Sequence, residues 1–212
     1  MEIKNLIFIV IFFLAIGYFL YNCRKLILYL LVGQKENRFD NIGQRIKNVL
    51  VIAFGQTKLL REPFAGVLHL LIFWGFVLFL FAILESIIQG FYSPFTLQFL
   101  GPVYSAINII QDVLGLLVIL AVLFSLYRRY IVKVPRLIVD KHGMFDAGFI
   151  LSLILIIVVS MFGINITNVI LNNFQLVRFE IRPLSLPLAN LFSDGTSTSN
   201  VILWNEIFWW IH

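Results

Sequence analysis

The sequence predicts an all-α integral membrane fold. It should be a bundle of four complete transmembrane helices plus the start of a fifth, with an amphipathic surface helix in the first connection. Three observations lead there. Of the 212 residues, 60% are hydrophobic and only 13% charged, with a mean hydropathy of +0.96. Soluble domains are nearer roughly 45–50% apolar and about 25% charged. Uncharged apolar runs recur along the chain, several near the roughly 20 residues that cross a bilayer. The basic residues gather between these runs, so the net charge of +5 reads as membrane orientation and not as nucleic-acid binding. A single cysteine, Cys23, excludes a disulfide within the chain and a cysteine-ligated iron–sulfur cluster, which takes several thiolates.

Leu6 to Asn22 supplies the first span and continues helical through Leu26–Val32. Its apolar run is too long for a signal peptide and lacks a small-residue cleavage site, so it reads as a retained anchor. Gly33 to Glu62 is a polar, basic connection in which Ile46, Val49, Leu50, Ile52 and Ala53 recur at helical spacing, the pattern of a surface helix. The second span runs from about Phe64 to Gln89 behind Pro63, a residue favoured in a first turn. Gly90 to Pro102 forms a loop without Lys or Arg. The third span covers about Tyr104 to Tyr130 and ends in Arg128-Arg129; after a basic connection the fourth runs from about Met144 to Leu171. Asn172 to Asn200 reads as a polar connection broken at Pro183 and Pro187. Val201 opens an apolar, tryptophan-rich run that reaches His212, too short to cross a bilayer at about 1.5 Å per residue. It is expected to be the front of a helix that continues beyond His212.

Loop charges set the expected orientation. Eight Lys/Arg lie between Arg24 and Arg61 and five between Arg128 and Lys141, against none in the second connection and only Arg178 and Arg182 in the fourth. The first and third connections should therefore face the cytoplasm, with the N-terminus outside.

Two of the three histidines fall within apolar segments. An ionisable side chain in a membrane helix is a functional hypothesis by default, and imidazole is a common metal ligand. His69 sits in REPFAGVLHLLIFWGF, a few residues inside the cytoplasmic end of the second span, and His212 lies in the last segment. His142, in the third connection, reads as a solvated loop residue. A b-type haem in a bundle takes two imidazoles at matched depth, so His69 and His212 are the candidate haem axial ligands. Counted from opposite faces of a core of about 30 Å, they fall roughly 5–8 Å apart in height, a poor fit for a direct pair. The bland reading of each is an interhelical hydrogen bond.

Glu85, Asp112 and Glu206 form a second constellation, all in the outer half, with Asn108 and Gln111 beside Asp112. They are candidates for a proton path or quinol pocket, because quinol oxidation releases protons. Helix caps or snorkelling acids are the simpler reading. The 22 Phe are packing or lipid-facing surface, and Gly115 and Gly163 are expected to allow close helix contact.

RFDNIGQRIKNVLVIAFGQTKLLREPFAGVLHLLIFWGF, the later Arg128-Arg129-Tyr130, Pro135-Arg136-Leu137 and Asp146, and the closing WWIH carry a resemblance along the whole chain. The specific parts are GxxHxxxFxGF and WWIH. Together they resemble the membrane domain of bacterial and archaeal iron–sulfur oxidoreductases, in which a domain similar to the nitrate reductase gamma subunit precedes a cytoplasmic heterodisulfide-reductase-like domain. In the gamma subunit, four histidines on spans two and five hold two b haems. His69 matches the cytoplasm-side histidine of span two, and Phe79 stands where the other would be. His212 matches the first histidine of span five; the second would lie about 18 residues further on, or about 27 Å. The resemblance thus implies one haem b near the cytoplasmic side of a prokaryotic inner membrane. It implies quinone as substrate, iron–sulfur clusters in a downstream domain, and an iron–sulfur protein or flavoprotein as partner. The rival is a non-redox anchor or assembly subunit, or a transporter. The repeat symmetry and Gly/Pro-broken helices expected of a transporter are not evident.

Overall fold

The computed structural model describes residues 3–34, 39–137, 141–176 and 178–212, without the side chains of Arg136 and Lys141. It is helical, with no strand among the described residues: α1 (Ile3–Leu31), α2 (Ile42–Asn48), α3 (Pro63–Phe91), α4 (Pro102–Tyr130), α5 (Lys141–Leu171), α6 (Ser185–Ser193) and α7 (Thr198–Ile211). α1, α3, α4 and α5 are each long and apolar enough to cross a membrane, so the chain is a multi-pass membrane protein. Prolines open α3 and α4, where their missing N–H costs nothing. Val49–Phe54 extends α2 as a wider π-helical turn, and Ile46, Val49, Leu50, Ile52 and Ala53 are all exposed.

Two compact units divide the chain: Met1–Lys58 with Ala82–Thr96, and Leu59–Phe81 with Leu97–His212. In the first, the start of α1 packs on the end of α3. The buried Asn5 amide donates to the carbonyls of Gln89 (3.3 Å) and Gly90 (2.9 Å), and Ser93 donates back to its oxygen (3.1 Å). The Phe91 ring meets Phe8, Phe12 and Phe13 edge-on. Gly90 leaves room for the Phe8 ring, which would lie 2.2 Å from any added Cβ.

The second unit is built around α4 and α5. Val118 and Val122 of α4 bury against Val158, Met161 and Phe162 of α5, with Phe79 of α3 closing the cluster. Small residues set the spacing, as membrane packing favours. A Cβ on Gly75 would meet Val118 at 2.4 Å, and one on Gly115 would meet Phe162 at 2.8 Å. α7 runs antiparallel beside α5. Asn205 donates to Thr167 and Asn168 (both 2.8 Å), and the Phe208 ring lies over Gly163, 2.4 Å from an added Cβ. Gly163→Val should therefore push α7 off α5 and cost about 1–3 kcal/mol, the usual penalty of overpacking. The measurement is the detergent-unfolding midpoint, with the surface substitution Leu203→Ala as control.

The segment Asn172–Asn200 departs from expectation. It carries α6 and the first turn of α7. Pro187 sits in the first turn of α6, where proline is tolerated, and so does not break the helix. Ser197 caps α7, its hydroxyl accepting from the Asn200 amide at 3.4 Å.

Candidate functional site

His69 is placed by Pro63, which starts α3 six residues earlier and so fixes the depth of the imidazole at about 9 Å into the helix. The ring is exposed and lines an open cleft of about 360 Å³. Ala65, Leu68 and Ile72 of α3 and Ala147, Ile150 and Leu151 of α5 give the cleft an apolar lining. Its polar edge comes from α4: Ser125, Arg128 and Arg129. Arg128 lies 5.0 Å over the Phe64 ring, a cation–π contact. Arg129 donates to the Leu137 carbonyl (3.3 Å) and to Met144 Sδ (3.8 Å), holding Leu137 at the cleft. The sequence marked these arginines only as orientation charges. Their role at the cleft follows from α4 ending at the level of His69, which the spacing of α3 alone does not show.

His212 is elsewhere. Its Nδ1 lies 3.5 Å from the hydroxyl of buried Ser160 on α5. The His69 cleft meets α5 at Ala147–Leu151, so the two imidazoles stand about 13–20 Å apart along that helix. This exceeds the roughly 5–8 Å expected from sequence. The two histidines therefore do not share one cleft among the described residues. His142 is on the first turn of α5 and not in a loop, with its side chain 83% exposed and Asp146 at 3.5 Å.

Asp112 is fully buried on α4 and is committed to α6. One carboxylate oxygen accepts the backbone N–H of Leu184 (2.6 Å) and of Ser185 (2.9 Å), and the other accepts the Ser185 hydroxyl. It caps α6 from across the bundle, satisfying N–H groups that a helix start leaves open. Gln111 donates to the Leu78 carbonyl on α3 (3.1 Å). Asn108 is buried with no partner for its side-chain nitrogen among the described residues. Glu206 is half-buried on α7, and Glu85, half-buried at the far end of α3, belongs to the other unit. Sequence reading missed Ser185 as the partner of Asp112; the hint was a serine two residues before Pro187, a helix-start pattern.

A second cavity of about 450 Å³ lies among α5, α6 and α7, faced by Phe162, Thr167, Phe192, Trp204 and Phe208. Among the described residues no group of three or more His, Cys, Asp and Glu forms a metal site. A haem asks less: the His69 cleft offers one imidazole, an apolar wall and a cationic rim, which fits one face of the group. The described residues bring no second imidazole to that depth.

Two curated relatives match nearly the whole chain. "Probable iron-sulfur-binding oxidoreductase FadF" of Bacillus subtilis (strain 168) is 33% identical over 212 residues, covering 98% of this chain and 28% of the relative. "EtfAB:quinone oxidoreductase" of Syntrophomonas wolfei subsp. wolfei is 29% identical over 210 residues, covering 96% of this chain and 29% of the relative. Both are oxidoreductases by name, and the chain spans under a third of the length of each. No protein-family profile matches the chain, and no solved structure matches it.

Proposed function

We propose that the chain is a membrane electron-transfer domain. It passes electrons between quinone or quinol and an iron–sulfur or flavin-type partner through one b-type haem. The observation that carries this reading is the His69 cleft, where an imidazole on a membrane-crossing helix shares an apolar cavity with two guanidinium groups. The relatives' names, iron-sulfur-binding oxidoreductase and EtfAB:quinone oxidoreductase, supply the partner chemistry. A haem held there supplies one-electron transfer, at a potential set by ligation and burial. The chain's part is to present His69 at fixed depth on α3 and to offer an apolar wall of Ala147, Ile150 and Leu151.

The rest of the reading follows the resemblance to the nitrate reductase gamma subunit. α7 runs antiparallel to α5 and takes the place of the fifth span of that subunit. The basic connections face the cytoplasm of a prokaryotic inner membrane, the N-terminus lies outside, and α2 rests on the membrane surface. The cavity beside α7 has the apolar, partly aromatic lining that suits a quinone ring. Asp112, with its oxygens engaged by α6, serves structure; Glu85 and Glu206 remain the acids assigned to proton release.

The test is reduction by quinol. A menaquinol analogue added to the protein in nanodiscs should bleach oxidised b-type bands into reduced ones without a soluble partner. Bands that respond to dithionite but to no quinol would refute the quinone link.

A further inference from the structure

Arg128 and Arg129 are half-buried at the cleft, and neither forms an ion pair among the described residues. The two differ in how they are held. Arg129 is tied to the Leu137 carbonyl and Met144 Sδ, so its guanidinium is part of the wall. Among the described residues Arg128 meets only the face of Phe64, 5.0 Å away, and it lines the same cavity as His69. A guanidinium at the edge of an apolar cleft in a membrane is costly unless an anion meets it, and its planar fork matches a carboxylate or phosphate with two parallel hydrogen bonds. The cleft therefore has two poles: an imidazole against an apolar wall, and a cation at the rim.

We propose that Arg128 is the anion anchor of this cleft, pairing with the carboxylate edge of the amphiphile whose apolar body lies against Ala65, Ile72, Ala147 and Leu151. This rests on the function proposed above, under which the anionic edge is a haem propionate. Arg128 is then a positioning residue: it would orient a haem held at His69, and its charge would favour the reduced state. The same anchor chemistry would suit the phosphate of an anionic phospholipid, and the experiment separates the two.

The protein is prepared in nanodiscs of phosphatidylcholine with or without phosphatidylglycerol, as wild type, Arg128→Gln and Arg128→Lys. Haem retention is read as transfer to apomyoglobin, and the midpoint by optical redox titration. Arg128→Gln should lower the midpoint and speed haem loss about tenfold, the effect of about 1.4 kcal/mol. Arg128→Lys should keep most of the midpoint, because the charge remains, and still lose haem faster, because an ammonium does not pair through a planar fork. A wild-type midpoint together with wild-type retention in Arg128→Gln overturns the proposal. Should Arg128→Gln fail to fold, Arg128→Lys carries the test through its retention. If the wild type holds no His69-dependent haem, the proposed function fails separately, and native mass spectrometry decides the anchor. Phosphatidylglycerol bound by wild type and lost from Arg128→Gln would assign the anion to lipid, and equal binding by both would overturn the anchor.

Discussion

Replacing Asp112 with Ala should destabilise the protein by about 3–5 kcal/mol, the range for removing one member of a buried charged network. The residue has no access to solvent, and its carboxylate holds the Leu184 and Ser185 backbone N–H groups and the Ser185 hydroxyl. Alanine strands all three donors in a buried site where no water replaces the acceptor, and each stranded donor costs about 1–3 kcal/mol. α6 then loses its cap, and with it the seating of Leu184 and Leu188 against the core of the second unit. Asp112→Asn should cost less, about 1–2 kcal/mol, because an amide oxygen still accepts from both backbone groups. Unfolding midpoints in mixed detergent check both variants. A wild-type midpoint for Asp112→Ala would show that α6 is held by other contacts.

The same residue shows what the sequence could and could not reveal. Local chemistry was readable: Pro63 marks the start of α3, the uncharged runs mark α1, α3, α4 and α5, and Gly115 and Gly163 mark close contacts that the packing bears out. Asp112 with Asn108 and Gln111 was recognisable as a polar cluster because the three share one helix face. Its partner was not, because Ser185 lies 73 positions away and no spacing rule reaches across a fold. α6 was hidden for a related reason. Two prolines and a polar composition read as a loop, whereas Asp112 supplies the cap that allows a nine-residue helix to start there. Depth was the other failure. Counting rises from opposite faces of a fixed core places His69 and His212 too close in height, and only contacts along a shared helix, α5, give their separation. The arginines of the His69 cleft illustrate a third limit, since orientation charges and site charges look alike until the helices that carry them are packed.

Replacing His69 with Ala should remove the b-type signal altogether. His69 is the single imidazole that the described residues bring to the cleft, so none of them replaces it there. His142→Ala should leave the signal unchanged, because that side chain is turned to the surface beside Asp146. His212→Ala should retain the haem too, since its ring sits beside Ser160, about 13–20 Å along α5 from the cleft. This pattern separates ligation from general damage: a folding defect would lower haem in all variants that lower stability, the Asp112 series included, whereas a ligand loss falls on His69 alone.

The most direct test of the account is the reduced-minus-oxidised visible spectrum of the protein, expressed with ample haem and purified in mild detergent. The account predicts b-type bands at close to one haem per chain in wild type and none in His69→Ala. A wild-type spectrum without those bands, or a His69→Ala spectrum that keeps them, would contradict it.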